Sequence, residues 1–463
     1  MIDARATVEK LWRAARLDPA ALDHLTLTGA EPVLPSSFAV GTAMQASVAA
    51  SALAAAECWR ARSGETQQVT VDMRAAAIAA RSERYLTVNG GPAPELWDTI
   101  AGAYRCGDGR WVRLHTNFPH HRDGVLNILG CAYDKAAVAD ALQRWTAFDF
   151  ESACAKAGLV VAAMRSFAEW AAHPQGEVIA ALPLFDITRI GDAPPARWPA
   201  GERPLAGIRV LDLTRIIAGP VCGLTLAAHG ADVMLVTSPK LPSIAPLVID
   251  TGRGKLSASL DLTQKDDRAV FETLLRDADV VVQGYRPGGL ATLGYGADDL
   301  ARLRPGIVSV SLSAYGHTGP WASRRGFDSL VQTATGFNDA EAKAASSDAP
   351  KPLPAQILDH ATGYLMAFAT MAALLRRARE GGSWQVRLSL VQTGHWLRGL
   401  GRIDGLACPD PSREDVSDML VEMPSGFGNL SVVRHPAELP LTPPRWDRPS
   451  VPLGTDAPIW PAN

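Results

Sequence analysis

Between Pro204 and Gly319 short apolar runs alternate with amphipathic segments. "GIRVLDL", "DVMLVT", "DVVVQGY" and "GIVSVSLSAYG" read as strands, and "VCGLTLAAHGA", "DDRAVFETLLRDA" and "GADDLARLRP" as the helices between them. Continuous Val, Ile and Leu runs with helical spacers predict a parallel sheet covered on both faces. The fold class is therefore α/β, with a Rossmann-like domain whose ligand belongs outside the carboxyl ends of the strands. Upstream, "YRCGDGRWVRLH" predicts a hairpin turning at Asp108 and Gly109, and helices continue through "HPQG", giving a smaller α+β unit. The proline-rich "GDAPPARWPAGERPLAG" is the best boundary between the two. The pattern divides the chain into an N-terminal helical segment (1–94), a small α+β domain with its return segment (95–200), the Rossmann-like domain with a following helix (204–400) and a proline-rich tail (401–463).

Two stretches echo one another. "WRARSGETQQVTVDM", from Trp59, and "RRAREGGSWQVRLSL", from Arg376, superpose without gaps at a spacing of 317, each after an apolar helix and before another. By that spacing Asp359 falls on Thr42, so the first copy has the scaffold without the acid. The apolar region Phe38 to Trp59 is interrupted by Thr42, Gln45, Ser47, Ser51 and Glu57, which suits a packed interior helix and leaves no uninterrupted span of bilayer length.

Composition narrows the chemistry. A chain of 463 residues, 47% hydrophobic with a net charge of -3 and no basic stripe, fits a soluble enzyme of small molecules, with neither nucleic acid nor membrane as partner. The six cysteines form no CxxC pair, which suits reduced, buried thiols. "MIDARATVEKLWRAARLD" lacks a hydrophobic segment followed by a cleavage site, so the expected location is the cytoplasm. "TRIIAGPVCG" follows the first strand where a dinucleotide fold would carry GxGxxG, so no NAD site is expected, and no Walker A motif is present. "HTNFPHHRD" has no standard metal spacing and reads as the entry to a helix.

"ILDHATGYL" sets an aspartate where a proline-spaced loop runs into a long apolar helix. Asp359 there is either a helix cap, as most such aspartates are, or a nucleophile. His360 should point elsewhere on the helix, since sequence neighbours do not share a face. His317, in "YGHTGP", reads as a turn residue.

The run from "PLAGIRVLDLTRIIAGPVCGLTLAAHGADVMLV" through "GFDSLVQTATGF" to "ILDHATGYL" resembles the family III CoA-transferases, or CaiB/BaiF family, which includes formyl-CoA transferase, carnitine CoA-transferase and alpha-methylacyl-CoA racemase. "YRCGDGRWVRLH" and "SFAEWAAHPQG" resemble that family's small domain and return segment, and "PLTPPRWDRPSVPLGTD" its C-terminal tail, in an order that looks like two trimmed copies fused. The resemblance implies the family III fold and transfer of CoA from an acyl-CoA donor to a carboxylic acid through an aspartyl anhydride and an aspartyl-CoA thioester. It implies neither metal nor covalently bound cofactor, since CoA and acyl-CoA are substrates. Asp359 matches the nucleophile; Ile217, Ala218, Leu260, Gly284, Tyr285, Leu293 and Arg325 match CoA contacts. Two arginines of the family pattern fall within "TSPK" and on Thr292, so Lys240, Arg253, Lys255 or Arg286 would have to compensate. Backbone amides near "ATG" could serve an oxyanion. The racemase branch has a histidine where Phe327 stands, which ranks racemisation low; the different-class alternative is a degenerate homologue that binds CoA or a partner without turnover. One functional site per chain is expected, covered by the small domain, with a homodimer left open.

Overall fold

A computed structural model describes residues 3–92 and 95–461. The boundary expected at 94/95 and the extreme ends of the chain fall outside the described residues. Seven strands form the large sheet: β1 (Phe185–Gly191), β2 (Arg209–Leu213), β3 (Asp232–Thr237), β4 (Lys255–Ser259), β5 (Val280–Gln283), β6 (Val308–Ser313) and β7 (Ser383–Ser389). They lie in the order β4-β3-β2-β5-β6-β7-β1, all parallel except β1, which runs antiparallel to β7. Strands β2 to β7 thus follow the doubly wound order 3-2-1-4-5-6, which reverses between β2 and β5. Four strands were readable as continuous apolar runs. β1, β4 and β7 were not, because "FDITRIG", "KLSAS" and "SWQVRLS" mix polar residues into short strands. β1 lies in the return segment, so the chain first enters the large sheet before the proline-rich linker.

Five helices matter for the site: α1 (Val40–Ser63), α2 (Ala218–Ala228), α3 (Asp328–Thr335), α4 (Ile357–Glu380) and α5 (Leu390–Leu400). α1 and α4 both have 24 residues, start 317 positions apart and pack on each other at the centre of the main hydrophobic core. The interval found in the sequence is therefore the spacing of two equivalent helices. By length and composition α4 is apolar enough to cross a bilayer, a span the sequence reading missed; its apolar window is wholly buried, as befits a core helix.

The small domain packs an antiparallel sheet, Gly102–Arg105, Trp111–Leu114 and Val161–Ala163, against helices Pro119–Leu129, Lys135–Leu142 and Ala147–Lys156 around its own core. Its hairpin turns where expected, with Gly109 at φ 80°, a left-handed position natural to glycine. The C-terminal segment is more than a tail. Leu420–Ser425 and Gly428–Val433 form a hairpin that pairs with Thr87–Val88, and Ala437–Glu438 pairs with Val69–Asp72, so the two ends of the chain are knitted together.

Candidate active site

The turn after β2 is built by a buried ion pair. Lys255 Nζ donates to Asp212 Oδ2 at 2.8 Å and to the Pro220 carbonyl at 2.8 Å, while Asp212 Oδ1 accepts the Thr214 amide at 3.0 Å. This braces a sharp strand-to-helix turn in which Ile216 has φ 79°. A β-branched residue there is a true outlier and stores strain. The turn delivers Ile217 and Ala218 to the N-terminus of α2, whose first N–H groups have no acceptor within the helix.

Asp359 is the third residue of α4, one turn past the cap position held by Gln356. The capping question is settled by a different residue. Asp328, at the start of α3, accepts the Asp359 N–H with Oδ2 at 2.9 Å, and Gln332 Nε2 donates to its Oδ1. With that amide already satisfied, the Asp359 carboxyl receives no hydrogen bond among the described residues, is 6% exposed and borders two cavities. Burial, then the nearby Asp328 and Glu83 carboxyls, push its pKa well above the ordinary carboxylate range. Burial likewise pushes Asp328 up to about 6. His360 turns away, as expected, and its Nε2 meets Glu83 Oε2 at 3.1 Å.

The larger cavity, about 310 Å³, opens at the carboxyl ends of β2, β5 and β6, where the strand order reverses. Ile217, Ala218, Gly284, Tyr285 and Arg325 line it together with Asp359. Leu260 and Leu293 do not: Leu260 is buried in, and Leu293 packs against, the apolar layer beneath the sheet with Phe271 and Leu274. Leu260 directly follows β4 and Leu293 ends a short 3-10 turn, and both side chains are taken up by this apolar layer, which motif position alone cannot reveal. Of the four basic residues weighed as substitutes, only Arg286 lines the cavity. Lys255 is consumed by Asp212, Arg253 is buried against Asp250 at 2.9 Å, and Lys240 pairs with Asp261 at 2.7 Å.

Arg215 was overlooked, although "TRIIAG" places it in the turn at the strand reversal. Arg215, Arg286 and Arg325 have no carboxylate partner among the described residues. Burial and then repulsion by the other two arginines lower the pKa of Arg325. Three cations gathered without a carboxylate pairing them create a positive potential that favours an anion. Phe118, His120 and His121 of the small domain close the same cavity, with the Arg215 guanidinium 5.4 Å from the Phe118 ring centre. Burial holds His121 down at about 3, so its ring is neutral. Asp123 is bound to Arg122 at 2.8 Å, and among the described residues no three metal-ligating side chains converge. His317 bonds the Leu388 carbonyl at 3.0 Å, outside the cavity. Nor does "ATG" offer oxyanion donors, because Gly363 lies inside α4 with its α-carbon face against the Ala218 carbonyl and Val221.

The chain matches the family model for CoA-transferase family III over residues 205–401. It is 32% identical over 333 residues to an acetyl-coenzyme A transferase of Hypoxylon pulicicidum, covering 66% of this chain and 55% of that protein. An acyl-CoA transferase of Gibberella moniliformis is 30% identical, covering 70% and 64% respectively, and a probable fatty acyl-CoA transferase of Mycobacterium tuberculosis is 36% identical, covering 42% and 52%. The chain thus spans between about half and two thirds of the length of these relatives. With Asp359 and the strand-end wall of its cavity inside the matched stretch, the resemblance read from the motifs holds: residues 205–401 match CoA-transferase family III.

Proposed function

We infer that this protein moves CoA from an acyl-CoA donor to a carboxylic acid, with Asp359 as the nucleophile. The observation that carries this reading is the buried Asp359 carboxyl, relieved of capping by Asp328 and facing a cavity lined by three arginines that have no carboxylate partner among the described residues. An Asp359 oxygen attacks the thioester carbonyl; the C–S bond breaks and CoA thiolate leaves, giving an aspartyl-acyl anhydride. The thiolate attacks the aspartyl carbonyl, releasing the donor acid and leaving an aspartyl-CoA thioester. An acceptor carboxylate then displaces the thiolate to form a second anhydride, and the thiolate takes the new acyl group, restoring Asp359.

Arg215, Arg286 and Arg325 hold the phosphates of CoA, and the free N–H groups of α2 at Ala218 face the developing oxyanion. The elevated Asp359 pKa gives a more basic, stronger nucleophile once ionised, so transfer should rise with pH through a range above that of an ordinary carboxylate. Phe327 offers no proton acceptor, which disfavours racemisation. The test is incubation with acyl-CoAs and free acids, followed by mass detection of new thioesters. Binding of acyl-CoA without any new thioester would favour the non-catalytic alternative.

A further inference from the structure

Asp359 also borders a second, smaller cavity, which shares Ile216, Ile217 and Phe327 with the first but none of the three arginines. It measures about 50 Å³, room for roughly three to five groups the size of a water molecule. Its walls are largely apolar, with Leu96, Trp97, Ile244 and Leu247 among them. Two residues of the wall carry uncharged polar groups without a hydrogen bond among the described residues: both ring nitrogens of His115 and the Ser329 hydroxyl are buried and unbonded. His115 stacks on Phe327 with ring centres 4.0 Å apart and is neutral, burial holding it down at about 3. Buried polar groups are ordinarily paired, so two orphans beside one small cavity point to a ligand group that completes them.

Charge decides which group. Glu83, Asp328 and Asp359 all line this cavity against one lining cation, Arg84, which sits 3.8 Å from Glu83, while Arg113 lies behind the wall over the Trp97 ring. A second carboxylate on the substrate would be repelled. A hydroxyl can donate to one orphan and accept from the other. We propose that this cavity is the acyl pocket and that His115 and Ser329 select a short acyl chain, of about four carbons or fewer, carrying an uncharged hydroxyl group. This rests on the transferase reading above and goes beyond it in naming the substrate class.

The test compares butyryl-, 3-hydroxybutyryl-, succinyl- and octanoyl-CoA as donors to a fixed set of short-chain acids. The expected kcat/KM for 3-hydroxybutyryl-CoA is at least about tenfold above each of the others, since a site built to bond a hydroxyl rejects analogues lacking it. In Ser329→Ala and His115→Phe, the latter keeping a ring on Phe327, the 3-hydroxybutyryl to butyryl ratio should fall toward one. A better rate with succinyl- or octanoyl-CoA, or a ratio unmoved in both variants, overturns the pocket assignment and leaves the transferase intact. If no donor reacts, the transferase reading fails, and calorimetry still decides the pocket. Tighter binding of 3-hydroxybutyryl- than butyryl-CoA, lost in Ser329→Ala, supports it; equal binding overturns it.

Discussion

Helices α1 and α4 are the same device built twice, and only in α4 does the third residue face a cavity. Each is 24 residues long and begins after a residue of nearly identical backbone, Ala39 at φ -75°, ψ 61° and Gln356 at φ -77°, ψ 59°. Each offers the amide of its third residue to an outside carboxylate, Thr42 to Glu31 at 2.7 Å and Asp359 to Asp328 at 2.9 Å. Each leads through glycine into a strand and a further helix. In α1 Thr42 is fully buried beside Glu31, and Val33 and Glu31 close over Gly41. In α4 the equivalent position opens on the two cavities. The helix, its cap and its packing therefore do not need an acid at the third position. Asp359 is an addition to a scaffold that folds without it, placed where burial and like charge oppose its ionisation.

The comparison breaks most visibly in activity. Asp359→Asn should reduce transfer by roughly 10⁴-fold or more, the scale on which loss of a covalent nucleophile is felt. Its cap is untouched, because Asp328 bonds the backbone amide. Thr42→Val, at the equivalent position of α1, should leave the rate within about twofold, because it keeps the side-chain shape and alters a buried residue that lines neither cavity. Steady-state thioester transfer measures both. Equal rates in wild type and Asp359→Asn would remove the functional difference between the helices.

A second break runs the other way. Thr42→Asp gives α1 the acid of α4 but no cavity, beside a Glu31 whose pKa burial already raises. The uncompensated carboxyl should cost about 3 kcal/mol in urea unfolding and confer no second site.

Much of this was readable from the sequence for a physical reason: apolar runs report strands buried on both faces, and a repeat interval survives even where identities are few. The motif around Asp359 and the loop residues Ile217, Ala218, Gly284 and Tyr285 stand at strand ends, where the fold class itself predicts a ligand. The arrangement about Asp359 was harder to read. Glu83 reaches His360 across 277 residues, and Asp328 was visible in "GFDSL" but weighed only for its neighbour Phe327. Which cation is free is a pairing question: Lys255 and Arg253 look like Arg215 in a sequence, and only their burial against Asp212 and Asp250 removes them. The C-terminal hairpin was lost for a related reason, since its partner strand Thr87–Val88 lies at the other end of the chain.

The ionisation of Asp359 should also be measurable as stability. A carboxyl whose pKa is raised on folding favours the folded state fully below its unfolded value, near 3.8, and loses that contribution as pH rises through the folded value. Asp359→Asn should therefore match wild type near pH 4 and become more stable by about 1 to 3 kcal/mol toward pH 8. Chemical denaturation at several pH values measures the gap. The buried histidines act in the opposite sense in both proteins: His115 and His435, held down at about 3 and about 4, lose their contribution as pH falls below about 6.5, so they cancel in the difference. A gap that is constant with pH would mean that Asp359 is not electrostatically opposed.

The smallest effect separates the two caps. Glu31 and Asp328 each accept the amide of a helix's third residue, and a carboxylate at a helix N-terminus also meets the positive end of the macrodipole. Glu31→Gln and Asp328→Asn both keep an acceptor oxygen, so each should cost only about 1 kcal/mol or less in unfolding. Their consequences for catalysis should differ. Asp328 is among the charges that raise the Asp359 pKa, whereas Glu31 is not. Asp328→Asn should shift the rising limb of the pH–rate profile to lower pH, and Glu31→Gln should leave that limb in place. If both variants shift the limb equally, or neither does, Asp328 acts only as a cap and the two helix ends are electrostatically alike.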